Sequence, residues 1–177
     1  MVVTKEMKEV FSYLHGRSDY VIFGGVASFF QVGVKCSPDV DVMFVSRKAL
    51  REAQAFLSQQ KWKVLEEKSG KYFLYVCMSK GKTTTDFYYS IISSRVFVPR
   101  GVKKLYKTSS KNFSLMVLNP ESLFINKIQV LAEKDRPLHK TKRDRITLFK
   151  LRNRLRANEL QQLLQELPLV FWSKGYF

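Results

Sequence analysis

The sequence predicts an α/β (or α+β) domain with a mixed central sheet, flanking helices and a helical C-terminal part. Short apolar runs alternate with helix-like segments as far as residue 118, and helical periodicity dominates afterwards. The 177 residues correspond to about one domain, and 45% hydrophobic residues are enough for a core. We place an α/β core over 1–118 and a helical region, packed on that core, over 119–177.

Each element before residue 119 follows from a local pattern. Apolar residues at helical spacing predict helices over 4–15, 26–32 and 47–60. Buried or alternating apolar runs predict strands over 20–23, 40–45, 62–67, 72–78, 83–89 and 113–118. Ser69-Gly70 and Lys80-Gly81-Lys82 supply turns, so the strands around them should pair as hairpins. For residues 91–111 we expect an irregular strand and a basic loop.

The region after residue 118 contains three predicted helices. Asn119 is a suitable N-cap and Pro120 a suitable first residue for a helix that ends near Glu133. A second helix is predicted over 141–156 and a third, capped by Asn158, over 159–167. We expect the aromatic tail to pack on the body of the protein or on a partner; its aromatic residues are Phe171, Trp172, Tyr176 and Phe177.

Composition excludes several classes of protein. Two cysteines and two histidines cannot form a disulfide framework, a cysteine-rich zinc site or a histidine-dominated metal site. No apolar run reaches the roughly 18–20 residues that a membrane helix needs, and the N-terminus lacks the layout of a signal peptide. We therefore expect a cytoplasmic protein without a membrane partner.

Charge is distributed unevenly. The chain has 31 Lys and Arg against 15 Asp and Glu, a net charge of +16, and residues 95–177 alone contribute 18 basic and 6 acidic residues. This regional excess favours a polyanionic partner such as nucleic acid or nucleotide phosphates. The alternative is a lysine-rich surface that only favours solubility.

The segment from residue 20 to residue 45 contains the most informative pattern. A strand ends in Gly24-Gly25, and Asp39 and Asp41 follow at the start of a second strand. They occupy positions i and i+2, so both carboxylates should lie on the same face of the sheet. A divalent cation such as Mg²⁺ relieves the repulsion between such carboxylates, and a Gly-Gly turn before a helix exposes N–H groups to a phosphate. Asp86, in another strand, is a candidate third carboxylate. Alone, the two aspartates would be ordinary turn and strand-edge residues; the glycine pair favours a site for a nucleoside triphosphate and its cation.

This arrangement resembles the nucleotidyltransferase superfamily that includes DNA polymerase beta. The matching elements are Phe-Gly-Gly at 23–25, Asp-Val-Asp-Val at 39–42 and Asp86. Ser-Pro-Asp-Val-Asp-Val is especially similar to the abortive-infection type IV toxin-like nucleotidyltransferases and their small prokaryotic relatives. Segments 119–131 and 140–148 resemble a helical part of that family, although Thr147 stands where relatives often have an acid.

The resemblance implies a nucleotidyltransferase-like fold, Mg²⁺ or Mn²⁺ as cofactor and a nucleoside triphosphate as substrate. The residues it assigns to catalysis and metal binding are Asp39, Asp41 and Asp86. The residues it assigns to nucleotide binding are Gly24, Gly25, Ser28, Lys127, Lys140, Lys142 and Arg143. Ser28 would replace a hydroxyl that relatives place closer to the glycines, and Asp144 would orient one of the basic side chains near it. Lys127 could instead extend from an apolar helix face to solvent, and the other basic residues could be a solvated charge run.

The predicted function is metal-dependent transfer of a nucleoside monophosphate to an acceptor hydroxyl. The basic C-terminal half favours RNA, and tRNA in particular, as the acceptor, and the resemblance implies a toxin or defence protein with an antitoxin partner. A non-catalytic nucleic-acid- or partner-binding module on the same scaffold is the alternative. A small-molecule nucleotidyltransferase of the antibiotic-modifying kind is a third hypothesis, but such enzymes often have acidic pockets.

Overall fold

The computed structural model describes residues 3–108, 111–132 and 135–167. The strands are β1 (Tyr20–Ile22), β2 (Val40–Phe44), β3 (Lys63–Ser69), β4 (Phe73–Lys80), β5 (Thr83–Ser90), β6 (Gly101–Lys107) and β7 (Asn112–Leu118). The helices are α1 (Lys5–Leu14), α2 (Gly24–Val32), α3 (Arg47–Gln59), α4 (Ile91–Phe97), α5 (Pro120–Leu131), α6 (Leu138–Leu151) and α7 (Ala157–Glu166). Short 3₁₀ turns follow α4 at Val98–Arg100 and α6 at Arg152–Arg154.

The strands form one mixed sheet, as predicted. Their order is β3-β4-β5-β2-β1-β7-β6. The parallel pairs are β2 with β5 and β1 with β7, and the other neighbours are antiparallel. The parallel pairing of β2 with β5 brings two segments that are far apart in sequence side by side, and both contain predicted site residues.

The two faces of the sheet differ in what covers them. On one face Val42 lies opposite Phe87 in the β2–β5 ladder, and this side forms the core with α1 and α3. Because side chains alternate along a strand, Asp41 and Asp86 lie on the other face. On that face α2 packs against β2 and β7.

The helices after β7 extend the second layer. α5 packs against α2 and β7, α6 against α2 and α5, and α7 against α5. The Asn119 side chain accepts a hydrogen bond from the Ser122 N–H at 2.9 Å, which confirms the predicted cap. The division at residue 118 stays a prediction. Glu133 and the aromatic tail from residue 168 onward lie outside the described residues.

The segment between β5 and β7 differs from the prediction. Residues 91–97 form helix α4 and residues 101–107 form a regular strand that pairs with β7, whereas we expected an irregular strand and a basic loop. The Ser94 hydroxyl oxygen accepts a hydrogen bond from the Ser90 N–H at 3.2 Å, and Val96 and Phe97 are buried. Burial of Val96 and Phe97 therefore favours a helix, although the β-branched residues of this segment favour a strand locally.

Three helices also begin earlier than predicted. α2 begins at Gly24, so the glycine pair lies in the first turn of the helix. α6 begins at Leu138, because the Pro137 carbonyl accepts hydrogen bonds from the N–H groups of Lys140 and Thr141. α7 begins at Ala157. None of the described helices is both long and apolar enough to cross a membrane.

Candidate active site

The three aspartates predicted from the sequence lie on adjacent strands. Asp41 in β2 is directly opposite Asp86 in β5, and Asp39 immediately precedes β2. All three side chains are half-buried. The Thr84 hydroxyl donates to Asp39 Oδ1 at 2.9 Å and so fixes that carboxylate against β5.

The glycine turn lies directly against Asp41. Gly24 has φ +61°, a left-handed conformation that favours glycine, and a Cβ at this position would lie 1.8 Å from Asp41 Oδ2. The Phe23 N–H donates to the Asp41 carbonyl oxygen at 3.0 Å, which ties the end of β1 to β2. The Gly25 N–H is hydrogen-bonded to Asp41. The N-terminus of α2 therefore faces the carboxylates, where its N–H groups and helix dipole favour negative charge.

The electrostatics of Asp41 reflect this crowding. Burial, followed by repulsion from Asp86, raises the pKa of Asp41 to about 6, and Asp39 adds to the effect. Lys127 and the Gly25 N–H oppose it. Within the described part of the chain, no three His, Cys, Asp or Glu side chains are gathered as a ready metal site. Two of the three predicted ligands are turned toward neighbouring hydroxyl groups.

One of those hydroxyl groups belongs to Tyr75 in β4. It donates to Asp86 Oδ1 at 2.9 Å, and its ring lies 4.9 Å from that of Tyr88. Burial, followed by the charge of Asp86, raises the pKa of Tyr75, so the phenol stays a donor. Cys77 lies directly opposite Asp86 in the β4–β5 ladder, and burial with hydrogen bonding to Asp86 raises the pKa of its thiol to about 11.

Tyr75 and Cys77 were not predicted from the sequence. A usable signal was present, because the turn at Gly81-Lys82 pairs Lys80 with Thr83. Counting back from that pair places Cys77 opposite Asp86 and Tyr75 opposite Tyr88.

Ser28, predicted to bind the nucleotide, is almost fully buried. Its hydroxyl donates to the Gly24 carbonyl oxygen at 2.8 Å. In this conformation the side chain supports the glycine turn from within α2.

Lys127 is buried beneath α6 and does not extend to solvent. It is 3% exposed, and its Nζ lies 2.7 Å from Oδ1 of the fully buried Asp144. Burial lowers the pKa of Lys127, while the carboxylates of Asp144 and Asp41 oppose that shift. Arg136 also pairs with Asp144, its Nε lying 2.8 Å from Oδ2. Asp144 thus orients Lys127 and Arg136, whereas we expected it to orient one of the basic residues near it on α6.

Arg143, on α6, contacts the segment that leads into β2 and its aspartates. Its Nη1 donates to the Ser37 hydroxyl at 3.3 Å, two residues before Asp39. Its Nε is buried and has no hydrogen-bond partner among the residues the structure describes. By contrast, Lys142 is exposed and Lys140 is half-buried.

The chain matches no family model and no curated protein by sequence. Its fold, however, is similar to that of solved structures. A candidate nucleotidyltransferase from Helicobacter pylori superposes with a TM-score of 0.52 at 15% identity, over 92% of this chain and 73% of that one. An antigenic nucleotidyltransferase-like protein from Paracoccidioides brasiliensis is also similar, with a TM-score of 0.44 at 14% identity over 92% of this chain and 88% of that one. A candidate nucleotidyltransferase from Thermotoga maritima has a TM-score of 0.43 at 10% identity, over 94% of this chain and 97% of that one. The H. pylori structure shows that the chain has the nucleotidyltransferase-like fold; the toxin-like subtype stays a prediction.

Proposed function

We propose that this protein transfers a nucleoside monophosphate from a nucleoside triphosphate to an acceptor hydroxyl, with Mg²⁺ or Mn²⁺ as cofactor. One observation supports the proposal most directly. Asp41 lies opposite Asp86 and against a helix N-terminus where the space beside its carboxylate admits only glycine. Paired carboxylates next to exposed backbone N–H groups suit a triphosphate and its cation.

The donor set fits a hard divalent cation. Asp39, Asp41 and Asp86 offer carboxylate oxygens, the ligands that Mg²⁺ prefers, and would hold the cation. Burial, followed by repulsion from Asp86, raises the pKa of Asp41, and a bound cation would offset the repulsive part of that shift. When bound, the cation would offset the charge of the triphosphate and of the departing pyrophosphate.

The triphosphate would lie between α2 and α6. The backbone of Gly24 and Gly25 would face its phosphates, and Ser28 would keep this turn in place. Arg143 would supply positive charge from the opposite side, since its buried Nε has no hydrogen-bond partner within the described part of the chain and guanidinium groups bind phosphate well. Lys127 would act from behind Asp41 by limiting the negative charge of the site.

The acceptor oxygen would attack the α-phosphorus. The bond to the acceptor forms as the bond from the α-phosphorus to the bridging oxygen breaks, and pyrophosphate leaves. Asp86 would take the proton of the acceptor hydroxyl through Oδ2, while Oδ1 stays bound to the Tyr75 hydroxyl. The contribution of the protein is mainly positioning and charge neutralisation.

We further propose RNA, and tRNA in particular, as the acceptor. The support is the charge of residues 95–177, together with the position of Arg143 between that basic region and the aspartates. The family resemblance supports a role as a toxin or defence protein, with an antitoxin as partner.

The experiment is label transfer from each of four α-³²P nucleoside triphosphates to total tRNA with Mg²⁺, beside the Asp39→Ala/Asp41→Ala variant. We expect label on RNA with the wild type only. Label on protein instead of RNA would keep the chemistry and overturn the RNA acceptor.

A different outcome would favour the non-catalytic alternative. If no label is transferred and RNA binds equally to wild type and variant without a metal, the protein is a binding module on a nucleotidyltransferase scaffold.

A further inference from the structure

The solvent-facing side of α6 presents an aromatic ring that the core does not use. Phe149 is 62% exposed, and the guanidinium carbon of Arg152 lies 4.0 Å from the centre of its ring. A large apolar ring in water is unfavourable unless something else covers it. The stacked Arg152 extends the flat surface, since a guanidinium plane stacks on rings and bases alike.

The surroundings of this ring are positively charged. Residues 138–154 contain seven basic residues and one acidic residue, Asp144, which is fully buried and ion-paired. The outward face of α6 therefore presents no carboxylate. Such a face attracts a polyanion and repels other cations.

The apolar surface here is discontinuous. Leu138 and Ile146 are also exposed on α6, but the exposed Lys142 and Arg145 lie between them in the sequence and on the same outward side of the helix. A protein-docking surface needs contiguous apolar area at its centre. Isolated rings interleaved with cations are instead the pattern of surfaces that bind single-stranded nucleic acid, where bases stack and phosphates meet charge.

This surface lies close to the candidate active site. Phe149 comes six positions after Arg143, a distance of about 9 Å along the helix axis. Arg143 reaches Ser37 beside the aspartates, and Lys150 Nζ lies 3.5 Å from the Val32 carbonyl oxygen at the end of α2. A strand lying across α6 would therefore end within a few nucleotides of the carboxylates.

We infer that Phe149 and Arg152 form a stacking platform for unpaired nucleotides of a nucleic-acid strand. The identity of that strand as the acceptor rests on the proposed function. An unpaired base stacks on the Phe149–Arg152 pair, and the neighbouring lysines and arginines bind the phosphates on either side. The platform fixes the strand so that its hydroxyl enters the site past Arg143.

Fluorescence anisotropy tests the platform without nucleoside triphosphate, so turnover does not affect the result. The probes are a labelled single-stranded RNA of about 12 nucleotides, DNA of the same sequence, and the RNA annealed to its complement. Phe149→Ala should weaken binding of the single strand about 10-fold or more, because one stacked base contributes on that scale. Phe149→Leu should weaken it similarly, since leucine is apolar but has no π face. Arg152→Gln should also weaken binding and reduce its salt dependence.

Tyr72→Ala is the matched control. Tyr72 is 57% exposed, and Lys71 Nζ lies 5.1 Å from the centre of its ring on the β3–β4 turn, so it is an aromatic–cation pair elsewhere on the surface. This variant should bind the RNA like the wild type. Thermal melts check that every variant is folded.

Equal binding by Phe149→Ala and the wild type would overturn the platform, as would full rescue by Phe149→Leu. Equal loss in Tyr72→Ala would overturn it too, because the contact would then be nonspecific. Binding of RNA but not DNA would identify the strand as RNA, whereas equal binding of both would make it a general single-strand platform. The platform and the proposed chemistry can fail separately. Phe149→Ala can lose RNA binding even if the wild type transfers no label, and the wild type can transfer label even if Phe149→Ala binds RNA normally.

Discussion

At the residue scale, Gly24 meets two requirements at one position. Its φ of +61° favours glycine, and the space where a Cβ would lie is taken by the Asp41 carboxylate. Gly33, at the end of the same helix, has φ +69°, but apart from its immediate chain neighbours no atom of the described residues lies within 4 Å of its Cβ position. Gly33 therefore has the backbone strain alone, whereas Gly24 has both the strain and the contact with Asp41.

Gly33→Ala should lower the free energy of unfolding by about 1 kcal/mol, the cost of a left-handed alanine, and leave nucleotide binding intact. Gly24→Ala should destabilise the protein more and abolish nucleotide binding, because Asp41 must move. Denaturant unfolding and isothermal titration with a nucleoside triphosphate measure both effects. Equal behaviour of the two variants would show that contact between Gly24 and Asp41 has no role.

Tyr75 is a positioning residue for Asp86, since its hydroxyl donates to Oδ1 at 2.9 Å. Tyr75→Phe removes that hydrogen bond and keeps the ring contact with Tyr88. We expect kcat to fall about 10-fold, the usual scale for losing the partner of a metal-binding carboxylate. The affinity for Mn²⁺, measured by electron paramagnetic resonance on the non-reacting protein, should fall as well.

Tyr72→Phe is the control for that substitution, since Tyr72 is exposed. An unchanged kcat and unchanged Mn²⁺ affinity in Tyr75→Phe would show that Asp86 does not depend on Tyr75.

At the scale of the elements, Glu9 joins α1 to the β3–β4–β5 hairpins. Its Oε2 accepts from Trp62 Nε1–H at 2.8 Å, and Lys80 Nζ lies 2.7 Å from Oε1. Burial raises the pKa of Glu9, but Lys80 and Trp62 together lower it by more, so the net pKa lies below its usual range. The hairpins contain Tyr75 and Asp86, so this contact also supports the site.

A lowered carboxyl pKa stabilises the fold above the unfolded-state pKa, and the contribution is lost as the pH falls through the folded-state pKa. Glu9→Gln should therefore cost about 1 kcal/mol at neutral pH, and its difference from the wild type should shrink below about pH 4. Urea unfolding across that range measures it. Glu66→Gln, which breaks the exposed pair with Lys68, should cost little at any pH, and a similar cost for both would contradict this account.

The elements predicted correctly are those with strong local periodicity. The amphipathic face of α3, with Ala49, Leu50, Ala53 and Leu57 buried, and the cap at Asn119 both follow from nearby residues. α4 could not be predicted, because Ile91-Ile92 favours a strand locally and only burial of Val96 and Phe97 makes the segment helical. The start of α7 depends on a contact distant in sequence, since Glu121 Oε1 accepts the Arg156 N–H at 2.8 Å.

At the scale of the whole molecule, the candidate site lies where the sheet meets the helices that follow it. Strands β2 and β5 supply the acids, α2 the glycine turn, and α6 the Arg143 side chain. The buried Lys127–Asp144 pair links α5 to α6 behind the acids. A buried ion pair is costly to desolvate, so its role is better understood as fixing the position of α6 than as adding stability.

The closeness of Asp41 to the glycine pair was predictable, because the motif and its spacing lie within the 26 residues 20–45. Asp86 lies outside that segment and was assigned only from the alternation of its own strand. The burial of Lys127 and the contact of Arg143 with Ser37 were not, since their partners lie 17 and 106 residues away in sequence. The orientation of Ser28 was not predictable either, because a serine in a helix can donate to a carbonyl oxygen one turn earlier, here that of Gly24.

Thermal stabilisation by each nucleoside triphosphate with Mg²⁺ tests the proposed nucleotide site most directly. The wild type should be stabilised by at least one of the four, by about 2.7 kcal/mol at one hundred times Kd. The shift should vanish without Mg²⁺ and in Asp39→Ala/Asp41→Ala, and shrink in Arg143→Gln; Lys103→Gln, an exposed cation on edge strand β6, should match the wild type. A shift of equal size in the double aspartate variant, or no shift with any triphosphate, would contradict a nucleotide site built on these carboxylates.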